Sequence, residues 1–231
     1  MAILTSKKPS ATYKSLLQVG TADNQELDST LRVVEDGAGN DSPLKISTSA
    51  VVGTPLYAYF GVNYADFSAL DPDTHYAVPF TSGGLTATND VDFGGSGEPA
   101  TTFTTADTDT QYASQIVPMM WWIPDDITID SVTSIEGADN ATGETTRMHL
   151  YSYHFTPGST SCLTSGALIA HNSDVTNAGN EQAYLSSWTI DTADINEITG
   201  SKVRVILCFF RSDTTVSSDY SLNVTVKYHL R

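Results

Sequence analysis

The chain reads as an all-β protein: an antiparallel β-sandwich head of jelly-roll-like kind behind an extended N-terminal attachment segment. Three observations predict this. The 231 residues lean to Thr, Ser, Asp, Gly and Tyr with 16% charged side chains, a composition that suits pleated, half-buried strands better than helices. Runs of β-forming residues are bounded by Pro, Gly, Asp or Asn clusters, the punctuation of short strands and turns. No strand-helix-strand alternation and no fixed-period repeat runs through the chain, which disfavours parallel α/β folds and β-propellers.

Residues 1–53 form the expected attachment and oligomerisation segment. Apolar clusters at Tyr13–Val19, Leu31–Val34, Leu44–Ile46 and Val51–Val52 are separated by polar turns such as Asp36-Gly37-Ala38-Gly39-Asn40. None is long enough to close a core, so the segment needs the following domain or other copies of itself to bury them. Leu16, Leu17, Leu31, Val33 and Val34 are its candidate contact residues.

Residues 54–231 form the expected head. Up to about residue 115 the chain is rich in Gly, Thr, Asp and Pro with aromatics spaced through it, which predicts short strands and long loops. Beyond that point strands are predicted at Ile116–Ile123, Ile127–Ile135, Thr145–Phe155, Gln182–Ile190, Lys202–Arg211 and Tyr220–Leu230. In the last, Tyr220, Leu222, Val224, Val226, Tyr228 and Leu230 alternate with polar residues, so one face is buried and one is wet. Val203–Phe210 is apolar at nearly every position around Arg204 and needs cover on both faces. Its outer face is the expected subunit contact, with Phe209 and Phe210 as candidates. In Met119-Met120-Trp121-Trp122, strand alternation sends Met119 and Trp121 to one face and Met120 and Trp122 to the other. Trp121 and Trp122 complete the interface candidates.

The formal charge is −16, and its placement narrows the partners. Residues 46–146 hold fourteen Asp/Glu and no Lys or Arg, so this stretch lacks the cations needed to neutralise phosphates, and nucleic acid is not an expected partner. No apolar leader follows Met1, and nowhere do eighteen apolar residues run together, so neither a secretory signal nor a membrane-spanning helix is expected. Cys162 lies in what reads as a Ser/Thr-rich loop and Cys208 in the apolar run Val203–Phe210; a disulfide between them is open but not implied. The Asn-x-Thr sequons at Asn140 and Asn223 have no secretory route to make them glycosylation sites.

Enzyme chemistry finds no motif. His75, His149, His154, His171 and His229 never fall in a metal-binding spacing. His149 and His154 are an odd number of residues apart on one predicted strand and so face opposite ways. No nucleophile elbow or Ser-x-x-Lys is present. The pairs Asp71/Asp73, Asp107/Asp109 and Asp125/Asp126 resemble the two carboxylates of a glycosidase, but Asp in such loops ordinarily caps its own turn. Asp71-Pro72-Asp73 and Asp107-Thr108-Asp109 also offer oxygens to calcium, without continuing into a complete calcium loop. No catalytic, metal or cofactor residue is therefore assigned, and calcium stays an alternative.

The stretch Tyr13-Lys-Ser-Leu-Leu-Gln-Val-Gly, with Leu27-Asp-Ser-Thr-Leu-Arg-Val-Val-Glu-Asp-Gly-Ala-Gly-Asn-Asp-Ser-Pro-Leu-Lys-Ile-Ser-Thr after it, resembles the opening of tail-fibre and other virion appendage proteins of marine tailed phages, including cyanophages and pelagiphages. The closing Ser218-Asp-Tyr-Ser-Leu-Asn-Val-Thr-Val-Lys-Tyr-His-Leu-Arg is similar to the end of such proteins. The resemblance covers about a third of the chain. It implies a homotrimer at the virion surface, made in the host cytoplasm, whose N-terminus docks on other tail or capsid proteins and whose β head faces a host glycan or protein. At 231 residues the chain leaves no room for a long shaft, so the resemblance implies a short fibre, a knob or a capsid decoration protein. A carbohydrate-binding module without a fibre role is the alternative.

Overall fold

The computed structural model describes residues 17–19, 27–36, 40–48, 51–53, 55–63, 70–83, 91–95, 97–103, 113–139, 141–198, 200–213 and 219–231. The chain divides into two compact units, one of Met1–Leu56 with His229–Arg231, the other of Tyr57–Tyr228.

Unit one carries a four-stranded antiparallel meander of β1 (Gln18–Val19), β2 (Arg32–Glu35), β3 (Asp41–Ile46) and β4 (Val51–Val52). Its turns are held by side chains. The Asp28 carboxylate accepts from the Thr30 N–H at 2.7 Å and pairs with Arg32 at 2.6 Å, and Asp36 accepts from the Asn40 N–H at 2.9 Å. Such Asx-type contacts replace backbone pairing where the chain reverses. Val34 is buried, while Leu17, Leu31 and Val51 are exposed.

Unit two is built from β5 (Leu56–Val62), β6 (Tyr76–Val78), β7 (Trp121–Ile123), β8 (Ile127–Asp139), β9 (Thr145–Phe155), β10 (Leu163–His171), β11 (Val175–Thr176), β12 (Gln182–Ser187), β13 (Thr189–Ile190), β14 (Asp194–Ile195), β15 (Val203–Ser212) and β16 (Asp219–Leu230). One sheet runs β12-β8-β16-β5 and the other β10-β9-β15-β6, with β7 continuing the β6 edge along β15. Taken as eight principal strands in chain order, β5, β6, β8, β9, β10, β12, β15 and β16, the first neighbours the eighth, the second the seventh, the third the sixth and the fourth the fifth. This is one long hairpin rolled up, so that β16 also meets β8 and β15 also meets β9. That order is the jelly roll, and it bears out the expected antiparallel sandwich.

The sequence explains the inner faces. In β16, Tyr220, Leu222, Val224 and Val226 are buried while Ser221 and Asn223 are exposed, as a period of two requires. In β9, Met148 and Leu150 enter the sandwich core with Ile206, Cys208 and Phe210 of β15 and with Phe60, Ile129, Val132, Val224 and Val226. β8 slips its alternation once: Ile127 and Ile129 point inward, then Val132, Ser134, Glu136 and Ala138.

Three expectations are corrected. Ile116–Ile123 is not one strand: Ala113–Ile116 is an α turn, Val117–Met119 a 3-10 turn carrying Pro118, and only Trp121–Ile123 is extended. Proline lacks the N–H a ladder needs and is pre-set for the first helical turn. The turn also separates Met119 from Trp121, which join different apolar clusters. Gln182–Ile190 is interrupted at Trp188, whose indole N–H donates to Ser134 Oγ at 2.9 Å inside the sandwich. The Ser/Thr-rich stretch after Gly158 contains a full strand, β10, with Cys162 buried just before it. Cys162 and Cys208 are both free, in separate apolar clusters.

Candidate functional site

The predicted contact residues are scattered. Leu16 lies outside the described residues, as do Asp107, Asp109 and Asn140. Leu17 and Leu31 are exposed, Val33 is half-buried, and Val34 is 5% exposed. Trp122 keeps 59% of its surface exposed on the edge strand β7. Trp121, Phe209 and Phe210 are internal, which corrects their reading as subunit contacts. Trp121 stacks on Phe80 at 5.9 Å and meets Tyr228 edge-on at 4.9 Å. Phe210 fills the sandwich core against Tyr220, with ring centroids 4.7 Å apart.

Phe209 shows where the missing cover for β15 comes from. Val205, Leu207 and Phe209 point away from the sandwich core and join Ala77, Tyr151, Tyr153 and Leu163 in a second apolar cluster. That face is closed by the chain itself, through Val91, Phe93, Phe103, Ile116 and Met119 from the connection between β6 and β7. Phe93 sits 4.6 Å from Phe209 and 4.9 Å from Phe103. Aromatic rings at such spacings add about 0.5–1.5 kcal/mol per pair beyond area burial. Because the β6–β7 connection supplies this cover, no second subunit is needed for it.

A polar cluster lies under the same cover. His75 and His149 are fully buried with ring centroids 5.2 Å apart. A ring nitrogen of His75 lies 3.0 Å from the Gly95 carbonyl, while among the described residues its Nε2 and both ring nitrogens of His149 have no hydrogen-bond partner. Glu98 approaches His149 Nε2 at 3.5 Å and accepts from the Tyr151 hydroxyl at 2.7 Å. Burial holds His149 down to about 3, reinforced by the neighbouring His75, Arg147, His171 and Arg211. The Glu98 contact is too long to offset the desolvation of an imidazolium. Both rings are therefore neutral near pH 7, since burial also lowers His75. The Tyr151 hydroxyl is pushed far up by burial and by Glu98. With a neutral, enclosed imidazole and a phenol that stays protonated, the group ties Gly95 and Glu98 to the sheet.

A second polar group sits inside the sandwich. Glu136 of β8 is 2% exposed and accepts from the Thr146 hydroxyl at 2.8 Å, and its Oε2 has no hydrogen-bond partner among the described residues. Burial pushes its carboxyl up to about 7 against the partial relief of Thr146. Glu144 is 1% exposed and accepts from Ser212 at 3.2 Å and from the Tyr220 hydroxyl. Neither glutamate was picked out from the sequence. Glu136 had a legible signal, for it shares the inward parity of Val132 and Ser134; Glu144 had none, because it stands in the turn before β9.

The outer surface of the β12-β8-β16-β5 sheet holds an open concavity of about 560 Å³ lined by Asp139, Glu181, Asp219, Gly137, Gln182 and Ser221. Among the described residues no group of three or more His, Cys, Asp or Glu side chains is arranged to hold a metal ion. No helix of the described residues is long and apolar enough to cross a membrane.

No protein-family model matches the chain. No curated protein sequence matches it either. Among solved structures, it is similar to a chain from the structure of infectious bursal disease virus, Gx strain, at 10% identity and TM-score 0.20, covering 93% of this chain and 46% of that one. A chain from the T13 viral particle of the same virus gives 11% identity and TM-score 0.20, covering 89% and 47%. The chain thus spans about half the length of these structures.

Proposed function

We propose that this chain is a structural component of a bacteriophage virion, a homotrimeric surface appendage that docks through its N-terminal unit and presents a jelly-roll head to the host. The observation that carries the reading is the rolled-hairpin order of the eight principal strands in unit two, an architecture shared by viral capsid and lectin domains. This is an argument from architecture, and architecture constrains function without naming it. The terminal stretches that resemble phage appendage proteins support it, as does the division into a small N-terminal unit and a head. The acidic surface fits a solvated, non-sticking exterior. The reading involves no catalysis, cofactor, nucleic acid or membrane.

Light scattering on the full-length chain is expected to give a mass of three chains or a multiple of three, each chain being 24.8 kDa. Removing residues 1–53 is expected to weaken that association. A truncated form that stays threefold moves the three-fold interface into the head. A mass of one or two chains at every concentration refutes the free trimer and leaves a decoration protein that assembles only on the particle. Lectin domains share the jelly roll, and exposed Trp122 favours a glycan-binding head as the second reading. Saturable binding on a glycan array, lost in Trp122→Ala, would favour that reading.

A further inference from the structure

Among the described residues, three of the four edges of the sandwich receive further hydrogen bonds from other parts of the chain. Along β5, the Tyr59 N–H donates to Ser82 Oγ at 2.8 Å, the Thr81 hydroxyl donates to the Tyr59 carbonyl at 3.1 Å, and the Gly61 N–H donates to the Pro79 carbonyl at 2.9 Å. Beside β6, the Ala77 N–H donates to the Val91 carbonyl at 3.0 Å and the Phe93 N–H to the His75 carbonyl at 2.7 Å. On β10, the Gly166 N–H donates to the Thr101 carbonyl at 2.9 Å, and the Asp191 and Thr192 N–H groups share the Ile169 carbonyl at 2.8 and 3.0 Å. The fourth edge is β12. Among the described residues it pairs with β8 and with no other strand.

The phase of this open edge follows from one bond. The Trp188 N–H donates to the Val132 carbonyl at 3.0 Å, continuing the register in which Ser186 faces Ser134 and Tyr184 faces Glu136. Antiparallel ladders alternate, so the even positions bond to β8, and Ala183, Leu185 and Ser187 turn their N–H and C=O groups outward. The strand carries none of the devices that blunt an edge: Gln182–Ser187 has no proline and no charge, and its six pairs with β8 run without a bulge. At its centre Leu185 is 75% exposed, directly opposite Ile135, which is 55% exposed.

We propose that β12 is a homotypic docking edge, where a second copy of this chain pairs antiparallel about a two-fold axis at Leu185. An antiparallel pair of identical strands is self-complementary. Centred on Leu185, it sets Leu185 against its own copy and Ala183 against Ser187 of the other chain, giving six main-chain hydrogen bonds in a continuous sheet. The two Leu185 and two Ile135 side chains meet in one apolar stripe. The obstacle to self-association is the −16 charge, and this register avoids it locally. The two Glu181 carboxylates fall eight residues apart along the pair, about 27 Å at ~3.4 Å per residue, well beyond the ~8 Å screening length at physiological salt. The contact is small, so it closes at micromolar concentrations in solution and more readily where copies are held together on an assembly.

The two-fold contact does not rest on the virion reading, and one experiment separates them. Sedimentation equilibrium of the full-length chain over about 5–200 µM compares wild type with Leu185→Lys and Ser187→Pro. The second removes an outward N–H at an edge position, where proline is tolerated. Wild type is expected to reach an even number of chains. Leu185→Lys is expected to raise the dissociation constant by at least about 100-fold, since two leucines lose their burial, and Ser187→Pro by about 10-fold, with far-UV circular dichroism and melting unchanged in both. A shift from six chains to three supports both the edge contact and the trimer. A shift from two to one supports the edge contact and refutes the trimer. A wild-type mass of one or three chains throughout, or an even mass that survives both substitutions, overturns the proposal.

Discussion

Replacing Glu136 by Gln isolates the cost of a buried carboxylate between the sheets. Glu136 is 2% exposed, its Oε2 has no partner among the described residues, and burial pushes its carboxyl from 4.5 up to about 7. A folded-state value raised above the unfolded one means that folding favours the protonated form. The contribution of this group to stability is therefore fully present below pH 4.5 and is lost as pH rises through 7. At 1.36 kcal/mol per unit, the loss over that window is about 3 kcal/mol, or roughly 6–12 °C of melting temperature for a domain of this size. Glutamine cannot ionise, so the stability difference between Glu136→Gln and wild type should climb by about 3 kcal/mol from pH 4.5 to 7.5 and then level off. The extra amide protons cost a constant amount that shifts the curve without changing its slope. Urea unfolding at half-unit pH steps measures the difference, and the many other carboxylates cancel between the two proteins. A difference curve flat from pH 4.5 to 7.5 would refute the reasoning and mean that Glu136 reaches water or a cation when charged.

Four further outcomes are expected. His149, held down to about 3 by burial, binds fewer protons folded than unfolded, so its contribution is lost as pH falls from 6.5 toward 3; in His149→Leu the acid limb of a urea-midpoint profile should flatten by several kcal/mol across that range. Tyr220→Phe removes a donor to the buried Glu144, and chemical denaturation should show a cost of about 1–3 kcal/mol. Gly166→Ala places a Cβ 2.6 Å from the Tyr153 ring and 2.8 Å from Thr101 Cα, neither of which can yield freely, so calorimetry should record a loss of about 1–3 kcal/mol. Trp121→Ala should cost about 3–5 kcal/mol, while Trp122→Ala should stay within about 0.5 kcal/mol; equal losses by thermal denaturation would contradict their opposite burial.

The sequence by itself determined the strands whose pattern is local. β16 is legible because side chains alternate across a sheet with a period of two, and a strand that is wet on one face writes that period into its residues. β15 also announced itself as buried on both faces. What lay beyond reach was what does the covering. Phe93 and Phe103 come from a stretch that reads as loop, and no local pattern distinguishes an aromatic that packs on its own sheet from one reserved for a neighbour. For the same reason Phe209 and Phe210 read as contact residues and proved to be core. β10 was hidden by Thr164-Ser165-Gly166, which reads as a turn; Ser165 takes a positive φ there in a bulge, and the strand carries on because Ala167–His171 pair with β9. Glu136 and Glu144 became a site only when two sheets closed over them, since burial, and with it the ionisation of a carboxylate, is a property of the layers and not of the residue. The edge at β12, which among the described residues pairs with β8 alone, is likewise a tertiary fact, because strand pairing is made by residues distant in the chain and has no signature in local sequence.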